Sequence, residues 1–131
     1  MAQANAFVSD AALDGGPDYV VANGDTLIVV SASLGGVPVN MTECSTYQLG
    51  SKTGLTVTGP TTGDSSGRKC TIPAVTDGSV ATSGTVGAYA LLDSAGTELI
   101  LAQDVGTNKV VNSGDTWTSG ATDYEVPDPT S

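Results

Sequence analysis

The sequence predicts an all-β domain, a single sandwich or barrel-like fold with one short N-terminal helix at most. Seventeen glycines punctuate the 131 residues, and the runs between them are short and rich in Val, Thr, Ile and Leu, the residues that suit a pleated, half-buried surface. A hairpin pattern stands out at Val86–Leu92, Asp93-Ser94-Ala95-Gly96 and Thr97–Ala102, with Asp opening and Gly closing the connection as a type I turn with a left-handed last residue requires. Only one segment carries helix punctuation.

That segment is Gly16–Gly24, with Pro17 at the first helical position, Asp18 in the first turn and Gly24 at the C-terminal stop. Asp25–Ala32 follows as a strand with no polar face at its centre. Gly35, Gly36 and Pro38 make Ser33–Glu43 a turn-rich connection, and shorter strands are expected at Ser45–Leu49, Leu55–Thr58 and Arg68–Ile72. After the hairpin come strands near Lys109–Val111 and over Thr116–Val126. The organisation expected is an N-terminal arm over residues 1–9, a β-domain over 10–126 and a tail over 127–131. Gly24-Asp25-Thr26 and Gly114-Asp115-Thr116 share a triplet, but their flanks do not align, so this is one turn device used twice.

Four Lys and Arg stand against 14 Asp and Glu, a net charge of −10. Such a surface repels phosphate backbones and anionic lipid, so neither nucleic acid nor a membrane surface is an expected partner. No apolar run approaches the roughly 20 residues that span a bilayer, and Met1–Phe7 has neither the basic nor the apolar region of a signal peptide. A reducing compartment is therefore expected, with Cys44 and Cys70 as two free thiols.

The stretch Thr61–Cys70 (TTGDSSGRKC) fits three catalytic patterns: the G-x-S-x-G elbow, a near match to the trypsin-like serine surround, and S-x-x-K at Ser66–Lys69. The first two need an imidazole base, and the chain contains no histidine. The third needs Ser and Lys on one helix face, whereas Gly67 here separates a polar turn from a strand. The stretch therefore reads as a turn, with Ser65 and Ser66 dispensable. Asp10, Asp14 and Asp18 lack the order and closing glutamate of a calcium loop, and two distant cysteines do not make a zinc site. Glu98 and Glu125 are candidates for acid and base work by residue type alone. No catalytic residue, metal or cofactor is expected.

Several stretches in order resemble a family of small virion structural proteins of tailed bacteriophages, the head decoration or cement proteins. They are Asp10–Asn23 (D-A-A-L…Y-V-V-A-N), Thr26–Ala32, Gly59–Thr71 (G-P-T-T-G-D-S-S-G-R-K-C-T), Gly84–Asp93 and Asp123–Pro129 (D-Y-E-V-P-D-P). The chain departs from the family at Gly15-Gly16-Pro17, which shortens the N-terminal helix. The resemblance implies a non-enzymatic protein of the virion, assembled in the host cytoplasm, that binds the outer surface of the major capsid protein shell as a homo-trimer. A tail or head–tail module for adsorption is the alternative. The arms Tyr89–Leu92 and Leu99–Ala102 are apolar on both faces, so they either lie centrally in a two-layer core or lose a face to a partner, and part of that surface is expected to meet another copy or the shell. The candidate interface residues are Phe7, Val8, Tyr89, Leu91, Leu99 and Leu101.

Overall fold

A computed structural model describes residues 6–8, 19–62 and 68–126. The chain is all-β, built as one curled antiparallel sheet with a smaller sheet beside it. Strands β1 (Ala6–Val8), β2 (Thr26–Ser31), β3 (Gln48–Lys52), β6 (Val75–Val80), β7 (Gly84–Leu92), β8 (Leu99–Val111) and β9 (Thr116–Ser119) form the large sheet. Their order is β1-β8-β7-β2-β3-β6-β9. The small sheet has the order β10-β5-β4, from β4 (Thr58–Thr62), β5 (Arg68–Ile72) and β10 (Thr122–Val126). Helix α1 covers residues 19–23 in the described part of the chain, and α2 is Met41–Tyr47.

Helix α2 departs from the expected strand at Ser45–Leu49. Asn40 takes an extended conformation and its side chain accepts from the Glu43 backbone N–H at 2.8 Å, while the Glu43 carboxylate accepts from the Val39 N–H at 2.8 Å. This reciprocal capping satisfies two donors that would otherwise be orphaned, and it starts a helix inside a β-rich sequence. A 3-10 turn at Ala32–Leu34 precedes it, closed by Gly35 at φ 85°. The domain thus has a second short helix beyond the one the sequence suggested.

Three other departures lie at glycines, two that a strand runs through and one at which it breaks. Val75–Val80 is a strand although Asp77-Gly78 resembles a turn. Lys109–Val111 is the far end of β8, continuous with Leu99 through an irregularity: Val86 pairs with Lys109 and Ala88 with Asp104, so β8 carries three more residues than β7 between those pairs. Thr116–Val126 is two strands in different sheets, parted at Gly120-Ala121. The β4 strand also begins later than expected, at Thr58.

The hairpin forms as its turn chemistry dictates. Gly96 sits at φ 69° and its N–H donates to the Asp93 carbonyl at 3.1 Å. The Asp93 carboxylate accepts from the Thr97 N–H at 2.8 Å, the Glu98 N–H at 3.1 Å and the Thr97 hydroxyl at 2.9 Å. Leu91 pairs with Leu101 but Leu92 with Leu99, so Ile100 is an extra, bulged residue. The bulge lets the consecutive Ile100 and Leu101 join one core cluster while Leu99 and Ala102 join the other.

Both faces of the large sheet are covered by the chain itself. Leu27, Val29, Val86 and Leu91 pack on one face with Val20 of α1, Val57, Cys70 and Ile72 of the small sheet, and Trp117. Ile28, Val30, Ala88, Ala90 and Leu92 pack on the other with Val37, Cys44 of α2 and the partly buried Leu34, Met41 and Tyr47. Of the two arrangements expected for the apolar arms, the single chain shows the two-layer core. The segment from the 3-10 turn through α2, read as a connection and a strand, supplies the second layer that a bare sheet would lack.

Trp117 sets the shape of the first face. Its indole N–H donates to the Ser79 carbonyl at 3.0 Å, and its ring lies over the bare Cα of Gly78, its register partner. A Cβ on Gly78 would fall inside the ring. Gly78→Ala is therefore expected to cost about 1–3 kcal/mol through overpacking, measured as a lowered urea midpoint with Trp117 emission as the probe. An unchanged midpoint would show that the ring can move aside.

Candidate functional site

The structure separates the sequence-chosen interface residues. Leu91, Leu99 and Leu101 are core residues at 1%, 5% and 9% exposure and offer no surface on the single chain. Tyr89 is half-buried at the edge of the first cluster. The backbone of Phe7 pairs with Ala102 and that of Val8 with Leu101, so residues 6–8 form the outermost strand of their own sheet. Residues 6–8 of the segment assigned to an arm thus find an intrachain partner, by backbone pairing at the edge of β8.

The serine motif and the aspartates at 10, 14 and 18 lie outside the described residues. Lys69 belongs to β5, where it pairs with Glu125 on one side and Thr61 on the other, and a strand does not provide the one-turn helical spacing that S-x-x-K chemistry uses. Among the described residues no group of three or more His, Cys, Asp or Glu side chains could hold a metal ion. Also among them, no helix is long and apolar enough to cross a membrane.

Glu98, a candidate by type, accepts a hydrogen bond from the Tyr19 hydroxyl and so ties α1 to the β7–β8 hairpin. That bond raises the Tyr19 phenol above its ordinary range, with burial and the Glu98 and Asp93 charges adding to it. The role seen is mechanical: Val20, next to Tyr19, is fully buried against the first cluster.

Among the described residues, a concave feature that the sequence could not locate lies where β7, β8 and β9 meet. A pocket of about 90 Å³ is lined by Val29, Val86, Tyr89, Val105, Lys109, Val111, Trp117 and Thr118. The Tyr89 and Trp117 rings stand 6.0 Å apart at 31°, and the Tyr89 hydroxyl donates to the Thr118 carbonyl at 3.4 Å. Burial raises the Tyr89 phenol, so it stays a neutral donor and acceptor across physiological pH. The alternation along β8 that aims Lys109 and Val111 inward, leaving Val110 outside at 70% exposure, is readable once β8 is known to continue through residue 111.

No protein family, curated protein or solved structure matches the chain in comparisons with known proteins.

Two outcomes test these assignments. Cys44 and Cys70 are both buried and not in a disulfide, in the two different core clusters, and burial pushes the Cys44 thiol up to about 11. Neither is expected to react with an aromatic disulfide reagent in the native state at neutral pH, and both are expected to react after unfolding. Fast native titration of either would contradict the packing.

Asp93 gives a pH test. Burial pulls its carboxyl up, but the N–H groups of Glu98 and Thr97, the Thr97 hydroxyl and the Gly96 N–H outweigh it, so the net shift is downward. A carboxyl depressed in the folded state contributes stability above its unfolded pKa and loses it as pH falls through the folded value. The stability gap between the wild type and Asp93→Asn is expected to be constant near neutrality and to close below about pH 4. A gap that persisted at pH 2 would assign the effect to packing.

Proposed function

We propose that the chain is a non-enzymatic structural protein of a tailed-phage virion, a decoration or cement protein that binds the outer surface of the major capsid protein shell and stabilises it. The ordered sequence resemblance supports the reading, together with the all-β domain in which those stretches fall. A net charge of −10 suits the outer face of a shell better than its DNA-facing side.

The observation that carries the proposal is β1. Three residues add to a sheet edge by main-chain pairing, with Ala6 opposite Gln103 and Val8 opposite Leu101. Strand addition of this kind transfers to a neighbouring subunit without any special side chain. On the particle, residues 1–9 would exchange this intrachain edge for a neighbour's, and a trimer at the three-fold lattice positions would close the set. Contact falls to this exchanged strand and to the exposed edges, since Leu91, Leu99 and Leu101 are committed to the core.

Reconstruction of intact particles is the test, with density for this chain expected at defined shell positions in groups of three. Deleting residues 1–8 is expected to leave a folded domain, judged by far-UV circular dichroism, whose affinity for particles falls at least about tenfold, because each lost edge hydrogen bond contributes about 0.5–1.5 kcal/mol. Density on the tail instead would favour the adsorption-module reading. Full affinity of the truncated chain would overturn the strand-exchange mechanism.

A further inference from the structure

The pocket between β7, β8 and β9 has a composition that its packing role does not require. Its walls are valines and two aromatic rings, yet a cationic side chain, Lys109, stands among them. Among the described residues Lys109 has neither an ion-pair nor a hydrogen-bond partner, whereas Lys52 is paired with Asp77 at 3.1 Å. Lys109 is exposed, so its stem lines the pocket while its ammonium keeps contact with water.

We propose that this pocket binds a short branched monocarboxylate, with the apolar tail among the valines and rings and the carboxylate on Lys109. The inference is independent of any virion role. Size limits the tail: at about 90 Å³ the pocket is smaller than the roughly 150 Å³ cavity that takes a benzene ring, so an isobutyl-sized group fits and a larger one does not. The single ammonium matches one carboxylate and is too little for a phosphate dianion, and the Tyr89 hydroxyl is already engaged with the Thr118 carbonyl.

Charge decides against a cationic ligand. No Asp or Glu lines the pocket, although Asp104 and Asp115 flank the run Val105–Gly114. Charges beyond about 8 Å are largely screened at physiological salt. Lys109 is thus the one charged side chain among the lining residues, and an amine of the same shape would meet it with no acid on the pocket wall to receive it.

The probe is isovalerate, titrated into the full chain beside isoamyl alcohol and isoamylamine, which share its tail. Trp117 is the only tryptophan and lines the pocket, so its emission reports binding. A saturable change is expected with isovalerate at a Kd of about 1–10 mM, the range open to so small a ligand. The alcohol is expected to bind about threefold to fivefold more weakly, the increment of a solvent-exposed ion pair, and the amine more weakly still.

Lys109→Met is expected to abolish the preference for acid over alcohol and leave the alcohol's own binding unchanged. Val105→Phe is expected to fill the pocket and remove both responses, with an unchanged urea midpoint showing that the fold persists. Three results would overturn the proposal: no saturation with isovalerate, equal affinity for acid and alcohol in the wild type, or an acid preference that survives Lys109→Met. A chain that sediments as a dimer and loses its ligand response as it dimerises would place a second copy in the pocket and overturn it too.

Discussion

Trp117 lies on β9 and Tyr89 on β7, four places apart in the strand order, a separation of about 19 Å in a flat sheet. Their rings are 6.0 Å apart. Only a sheet curled onto itself brings them together, and the Trp117 indole holds it there by lying on Gly78 and bonding the Ser79 carbonyl. Everything on the first face follows from that closure. The curl makes a concavity that Val20, Cys70, Ile72 and Val75 fill, and where filling stops the β7–β8–β9 pocket begins.

A sheet buried on both faces needs two covering layers, and this chain makes them by different means. The first face is covered by curl and by the small sheet; the second is covered by 16 residues between β2 and β3 that fold as a 3-10 turn, a connection and α2. Burying Ile28, Val30, Ala90 and Leu92 under this layer removes apolar surface at about 25 cal/mol per Å². The second layer also explains why apolar strands on both faces do not by themselves imply a partner. A chain of 131 residues can bury such strands if a short amphipathic helix is available nearby.

The legible parts of the fold were those whose signal is local. The all-β class, the 93–96 turn, β2, β5 and the helical turn after Pro17 all rest on residues within a few positions of each other. The Asn40-x-x-Glu43 capping pair was equally local, but Gly35, Gly36 and Pro38 upstream made the region look like a loop. What could not be read was set by distance in sequence. Gly78 looks like a turn residue until Trp117, 39 positions later, is placed on it. Val75–Val80 continues through Gly78 because Gly78 pairs with Trp117 and Ser79 with Thr116, and β8 resumes beyond its irregularity where Lys109, Val110 and Val111 pair with Val86, Thr85 and Gly84. The pocket was illegible for the same reason: Val29, Val86, Lys109 and Trp117 come from four strands and share no motif.

The large sheet is curled but not closed, and it ends in two short edges, β1 with three residues and β9 with four. Long flat edges invite further strands, and short ones limit how many backbone groups a stray partner can satisfy. Lys109, exposed on the part of β8 beyond its pairing with β1, adds a charge that a mispaired strand would have to accommodate. With ten net negative charges opposing contact between copies, unguided edge-to-edge association is disfavoured twice over. For a protein proposed to sit on a lattice, crowded among its own copies, these features matter as much as affinity. On that proposal the edge contact would be short, supplied by β1, and released only where a neighbour offers a better match than β8 of the same molecule.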